Sequence, residues 1–245
     1  LYRFNERFQV NGAPIPDAAL DRLAKRVLAA ADTLPEHPTE FELMTAIGFL
    51  WFAEAGCDLV VVEIGLGGRL DSTNVIPAPE AAVITNIGLE HTAILGSTLA
   101  AIAAEKSGIL KPGCRAVLYG QSREVGEVVA RACVEKNIPL TVTDASQLTL
   151  LSSGLDGQRF TYRGSAPLLL PLLGDYQLRN AMTVLDTVDA LRAQGRNISA
   201  DAVARGLAAA RWPGRLELVR RRPDLSLDGG HNPQCAQALA ASLRG

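Results

Sequence analysis

The sequence predicts an α/β fold: a mostly parallel sheet, doubly wound with helices on both faces, and carrying an antiparallel edge. Three observations point there. Short β-branched runs alternate with helical stretches between residues 58 and 143, the order that parallel strands joined by crossover helices require. The run at 58–64, D-L-V-V-V-E-I, is almost unbroken and opens into G-L-G-G, the pattern of a strand buried on both faces that ends in a loop. The 245 residues are 48% hydrophobic and 20% charged, which is enough apolar material for a large core.

In chain order, residues 1–15 read as extended or looped, with turn residues at Asn11, Gly12 and Pro14. Pro16 and Asp17 open a helix with Leu20, Leu23, Val27 and Leu28 on one face, closing near Leu34 and Pro35. Residues 39–55 form a second helix, with Thr39 as N-cap and Glu42 three residues on as its capping-box partner. That helix is mostly apolar and is expected to be buried beside the sheet. Strands are expected at 58–64, 81–86, 116–119 and 140–143, with helices at 97–107 and 124–136 between them. Residues 148–170 break the rhythm with short strands and a glycine-bearing turn, the antiparallel edge. Helices follow at 175–192 and 200–210, ended by W-P-G at 212–214. Strand character returns at 216–227 around Pro223, read as a linker into a second domain. The expected division is 1–213 and 214–245.

Composition excludes several classes. A net charge of -2 gives no field that favours nucleic acid or an anionic membrane. No apolar stretch is long and charge-free enough to span a bilayer, and L-Y-R-F-N-E-R lacks a signal peptide's apolar core, so the cytoplasm is the expected compartment. Cys57, Cys114, Cys133 and Cys235 lie far apart, without a C-x-x-C pair, and read as idle thiols. The sequon Asn197-Ile198-Ser199 reads as chance in such a chain. The chain starts at leucine and ends a few residues into a helical stretch, so it is read as a piece of a longer protein.

The motifs admit plain and functional readings. G-L-G-G at 65–68 follows a strand pattern but has Leu70 where a dinucleotide fingerprint needs glycine; it is either a tight turn or a site crowded by Glu63, Arg69 and Asp71. Lys106-Ser107 imitates a phosphate-loop ending, yet Ala100 and Glu105 stand where the glycines belong, which leaves a surface pair or a functional lysine. Glu63 and His91, each at or beyond a strand end, would project from one sheet edge and could bind a divalent ion; with phosphate as a further ligand that ion is magnesium. D-G-G-H-N-P at 228–233 puts Asp, His and Asn where a ribose or phosphate could be held, although a plain turn explains its glycines and proline.

Taken together, R-F-N-E-R at 3–7, T-E-F-E at 39–42, E-I-G-L-G-G-R-L-D-S-T-N at 63–74, T-N-I-G-L-E-H-T at 85–92, E-K-S-G-I at 105–109, L-L-G-D-Y-Q-L-R-N-A at 172–181, W-P-G-R-L-E at 212–217 and D-G-G-H-N-P follow one another across the chain. The set resembles the folylpolyglutamate synthase and dihydrofolate synthase family, a branch of the Mur-ligase-like ATP-dependent amide-forming enzymes.

The resemblance implies a central ATPase domain, then a smaller Rossmann-like domain of which this chain holds the start, with ATP between them. It implies Glu63 and His91 as magnesium ligands and Lys106 as a carbamylated lysine beside the metal. Asn180 would lie near the adenine, Arg215 on the phosphates, Asp228 on the ribose and His231 by the phosphate chain, with Lys106, Arg215 and His231 the catalytic set. Thr39, Phe41 and Asp71 match the pterin-side pocket. The family's phosphate loop, G-T-N-G-K-G followed by S or T, is expected upstream of Leu1 in the parent protein, so this piece alone is expected to be inactive. The implied reaction joins L-glutamate to dihydropteroate or to a folate's glutamate tail, with ATP and Mg2+, by a monomer whose partners are small molecules. A Mur-type ligase for a peptidoglycan precursor and a non-catalytic folate-binding protein are the rival readings.

Overall fold

The computed structural model describes residues 3–230 and 233–243, arranged as two compact units, Leu1–Ile76 and Pro77–Gly245.

The first unit begins with a 3-10 turn, Phe4–Arg7, and a hairpin of β1 (Gln9–Val10) and β2 (Ala13–Pro14). Asn11 and Gly12 both have positive φ (52° and 78°), the backbone that a two-residue hairpin turn demands. Helix α1 (Asp17–Ala31) follows, then α2 (Glu40–Glu54) and a 3-10 turn at Ser72–Val75. The R-F-N-E-R motif has a structural role here. Buried Asn5 donates through Nδ2 to Ile15 O and Asp17 Oδ1, both at 2.8 Å, and Arg3 Nη2 reaches both Asp17 oxygens at 2.9 Å. The hairpin is thereby tied to the first turn of α1. Phe8, Ile15, Leu23, Val27 and Ile47 form this unit's core, while Leu28, expected on the inner face of α1, is 45% exposed.

Two expectations fail in this unit. Residues 58–64 carry no strand, and Leu59, Val60 and Val61 are exposed, Val61 at 91%. A β-branched run supplies the side chains of a buried strand but not its neighbours; among the described residues no strand pairs with it, so the ladder does not form. Helix α2 packs on α1 inside its unit, and only Ile47 and Gly48 are buried. Its apolar residues surround the whole helix, so only part of that surface can face α1.

The second unit holds a three-stranded parallel sheet, β3 (Ala81–Ile84), β4 (Arg115–Leu118) and β5 (Leu140–Val142), in sequence order. Between β3 and β4 lie α3 (Thr92–Leu95) and α4 (Leu99–Lys106), and α5 (Arg123–Glu135) crosses from β4 to β5. Thr98 caps α4 and Ser122 caps α5 through their hydroxyls. Ile84, Ile102, Leu118, Val125 and Val129 lie in the core between strands and helices. The antiparallel strands form a sheet of their own, β6 (Leu148–Gly154), β7 (Gly157–Tyr162) and β8 (Leu168–Leu170). This sheet shares a second core with α6 (Asp175–Ala193) and α7 (Ala200–Ala208), centred on Phe160, Leu170 and Met182. A hairpin of β9 (Glu217–Arg220) and β10 (Leu225–Leu227) precedes α8 (Pro233–Ser242). Among the described residues no helix is long and apolar enough to cross a membrane.

Candidate functional site

Thr39 caps α2: its hydroxyl accepts from Glu42 N at 3.3 Å, while Glu42 Oε2 accepts from Thr39 N at 2.7 Å, which closes the expected box. Donation to Oε2 from the Thr39 backbone N–H, and from the Thr39 hydroxyl at 2.8 Å, holds the Glu42 carboxyl below its usual range. Two residues past the cap, Phe41 lines a cavity of about 420 Å³ in the first unit, together with Phe8, Phe49, Phe52, Arg7, Glu63 and Gly65. The ring lies so close to the glycine loop that a Cβ on Gly65 would sit 2.5 Å from Phe41 Cζ. Asp71 is buried beside the loop; its Oδ2 accepts from Leu66 N at 2.8 Å and its Oδ1 from Thr73 N at 2.9 Å and Thr73 Oγ1 at 2.5 Å. Its carboxylate thus fixes the G-L-G-G-R-L-D-S-T turn, where Gly67 has φ 70°. The result is an aromatic pocket with one cation and one carboxylate at its wall, suited to a flat heteroaromatic ring.

A second cluster gathers in the other unit. The W-P-G-R turn and the D-G-G segment are stitched together: Leu216 N donates to Asp228 Oδ2 at 2.8 Å, Gly230 N to Asp228 Oδ1 at 2.7 Å, and Gly229 N to Gly214 O at 2.7 Å. A Cβ on Gly230 would lie 2.8 Å from Asp228 Oδ1, so this close approach needs glycine. Arg215 is exposed, with Nη1 3.2 Å from where a Gly229 Cβ would stand. Tyr176, in the first turn of α6, has its phenol pushed up by burial and by the nearby Asp228 carboxylate, with Arg215 acting the other way. Asp228, Arg215 and the first turn of α6 are therefore neighbours. Asn180 is exposed on the next turn and donates to Gln177 Oε1 at 3.1 Å. His231 lies outside the described residues.

His91 is exposed at the N-cap of α3 with φ 51°, in the left-handed region. Lys106 ends α4 half-buried, and its side chain makes no hydrogen bond or ion pair among the described residues. Glu63 is exposed in the first unit, on a segment that forms no strand, so the expectation that it and His91 project from adjacent strands loses its basis. No group of three His, Cys, Asp or Glu residues that could hold a metal occurs among the described residues.

Sequence reasoning missed Tyr176 and Gln121. Gln121 bridges three backbone groups at the ends of β3 and β4. Tyr176 lies inside the quoted L-L-G-D-Y-Q-L-R-N-A motif and could have been found there; nothing marks a lone glutamine after a strand.

Comparison with known proteins locates this arrangement. The Mur ligase middle domain matches residues 28–188. The folylpolyglutamate synthase of Lacticaseibacillus casei is 36% identical, and the dihydrofolate synthase/folylpolyglutamate synthase of Bacillus subtilis 38%; each alignment covers 100% of this chain and 59% of the relative. The chain thus spans somewhat more than half the length of these relatives. An FPGS-AMPPCP-folate complex superposes with a TM-score of 0.90 at 35% identity, covering 99% of this chain and 62% of that one. A folylpolyglutamate synthase of Mycobacterium tuberculosis complexed with ADP and AMPPCP gives 0.84 at 34%, covering 96% and 56%. The parallel sheet, the order of the motifs and these likenesses agree: the chain belongs to the Mur ligase family through its middle domain, and is homologous to the folylpolyglutamate and dihydrofolate synthases.

Proposed function

We propose that the protein is an ATP-dependent ligase that adds L-glutamate to dihydropteroate, to the glutamate tail of reduced folates, or to both. The observation that carries this reading is the joining of W-P-G-R and D-G-G into one site at the first turn of α6, in a chain that superposes on a relative solved with AMPPCP and folate. Arg215 supplies a cation for phosphate, Asp228 a carboxylate held by two backbone N–H groups beside the ribose, and Asn180 an amide one turn along α6 for the adenine. His231 would complete the phosphate contacts. The pocket of Phe41, near the Thr39 cap and the Asp71 turn, receives the pteridine by stacking.

In the proposed chemistry the substrate carboxylate attacks the γ-phosphorus and ADP leaves; the glutamate amine then displaces phosphate from the acyl phosphate and gives up its proton. The donors fit magnesium. Glu63, an exposed carboxylate, and His91, an exposed imidazole, are side chains that would hold it, with water and nucleotide phosphate oxygens as its further ligands. Held by those side chains, the ion would neutralise charge on the transferred phosphoryl group. Lys106, whose side chain is half-buried and has no partner among the described residues, would turn from cation to anion on carbamylation and could then serve that ion as a ligand.

The chain is read as residues 1–213 of a central ATPase domain and 214–245 leading into the next, in a cytoplasmic monomer. The test is glutamate incorporation into dihydropteroate and into tetrahydrofolate by the full-length protein with ATP and magnesium. ATP-dependent joining of an amino acid to a peptidoglycan precursor instead, or pteridine binding without turnover, overturns the reading.

A further inference from the structure

The parallel pair β3 and β4 is clasped at each end by a glutamine side chain. Its ladder runs from Arg115 N on Glu80 O (3.1 Å) to Tyr119 N on Ile84 O (2.9 Å). At the amino ends, Gln194 Nε2 donates to Gly113 O at 2.9 Å and to Glu80 O at 3.3 Å. At the carboxyl ends, Gln121 Nε2 donates to Thr85 O at 3.1 Å and Tyr119 O at 3.2 Å, while its Oε1 accepts from Ile87 N at 2.8 Å. The two clasps are chemically alike but hold different things. Gln194 closes the end where the chain enters the sheet. Gln121 grips the first residues of T-N-I-G-L-E-H, the loop that leaves β3 and delivers His91 four residues beyond Ile87.

Gln121 replaces the next rung of the ladder. Past Ile84 the chain turns out of the sheet, and Thr85 O and Ile87 N would otherwise face no strand; one primary amide, acceptor at one atom and double donor at the other, satisfies both and ties them to Tyr119 O. Ile87 is buried at 5%, so the loop has an apolar anchor, but burial is non-directional and does not fix the height of the backbone. The amide does. His91 is held in left-handed backbone at the N-cap of α3, so a shift at Ile87 is passed along a short, turned segment to its ring.

We propose that Gln121 is a positioning residue for the metal site: it sets the T-N-I-G-L-E-H loop at the height at which His91 can ligate a divalent cation, whereas Gln194, the matching clasp, contributes stability alone. This rests on the reading of His91 as a metal ligand. Partners that orient a ligand from outside the coordination sphere are worth about 10- to 100-fold in metal affinity.

The experiment uses the full-length protein and Mn2+ as the probe, with free Mn2+ read by electron paramagnetic resonance, in the wild type, Gln121→Met, Gln194→Met and His91→Ala. Thermal melts accompany each titration. We expect both methionine variants to melt earlier, but Gln121→Met alone to weaken Mn2+ binding, by about tenfold. In turnover, Gln121→Met should raise the Mg2+ half-saturation while leaving KM for the pteridine unchanged. If Gln121→Met does not fold, Gln121→Glu keeps the acceptor for Ile87 N but sets a carboxylate oxygen against two carbonyls, and should weaken Mn2+ binding likewise. Unchanged Mn2+ affinity in the Gln121 variant, or an equal loss in Gln194→Met, overturns the proposal. Weak binding in His91→Ala with normal binding in the Gln121 variant overturns the proposal alone; normal binding in His91→Ala overturns the reading of the site and the proposal with it.

Discussion

Lys106 ends its helix half-buried and without a partner among the described residues, an awkward place for an ammonium that only decorates a surface. Replacing a decorative lysine by alanine changes stability by no more than about 0.5 kcal/mol and leaves turnover alone. We expect Lys106→Ala in the full-length protein to keep its melting temperature and lose on the order of a hundredfold or more in glutamate incorporation, with acetate or formate restoring part of it in place of the carbamate. Near wild-type turnover would make Lys106 a bystander. Gly65 offers a second test, because its φ is not in the left-handed region and the three heavy atoms nearest to a Cβ there all belong to the Phe41 ring. Gly65→Ala should displace that ring, cost about 1–3 kcal/mol by overpacking, and raise KM for the pteridine without changing the Mg2+ half-saturation. An unchanged KM would detach the Phe41 pocket from substrate binding. Thr39 was legible as a cap because its chemistry is local, a bond to backbone three positions on; Asp71 was expected only at the loop and the pterin-side pocket, and its hold on backbone within five positions was not read. Gln121 was not legible, because its partner Ile87 lies 34 residues away and no pattern around a glutamine announces such a bond.

Among the elements, helices were read more faithfully than strands. The Thr39 and Glu42 box was read from the sequence because a helix satisfies its own backbone and needs only its ends closed; the Thr98 and Ser122 caps, not named in advance, follow the same rule close to the expected helix starts. The run at 58–64 misled because a strand is completed by a neighbour that its own residues do not name. Residues 148–170 were read as antiparallel, but that they form a separate sheet depends on which core they face, Phe160 and Leu170 packing with α6 and α7. The capping box allows a clean measurement, since Thr39 is also a candidate substrate contact. Thr39→Ala should cost about 1 kcal/mol in urea unfolding, whereas Thr39→Ser, which keeps the cap oxygen, should cost far less. If Thr39 only caps, the serine variant retains full turnover; a serine variant as stable as the wild type but with a raised KM for the pteridine would show contact with substrate.

At the scale of the molecule, apolar burial among the described residues is divided among three cores: Leu23 and Ile47 in the first unit, Leu118 and Val129 against the parallel sheet, Phe160 and Met182 against the antiparallel one. Within the second unit a buried polar network joins the last two. Asp186 on α6 is 2% exposed; its Oδ2 accepts from Tyr162 Oη at 3.0 Å, and Arg163 Nε stands 3.3 Å from Oδ1. Tyr162 Oη also accepts from Asp144 N, just beyond β5, at 3.4 Å. Burial pushes the Asp186 carboxyl up, against the pull of Thr143, Tyr162 and Arg163. A carboxyl whose folded pKa lies above its unfolded value contributes stability that is fully present below the unfolded value, about 3.9, and is lost as pH rises through the folded one. The ionised form is thus the less favourable one to bury, and a neutral isostere that still accepts from Tyr162 should serve as well at high pH. We therefore expect Asp186→Asn at pH 8 to be between equal to the wild type and about 4 kcal/mol more stable, as replaced buried ion pairs often are. The wild type should gain on the variant as pH falls through the raised pKa. Urea unfolding of both proteins from pH 8 down to pH 5 checks this, since titrations common to the two cancel in the difference. A wild-type advantage that grows with rising pH would mean that the Arg163 pair outweighs burial and that Asp186 is held as a working anion.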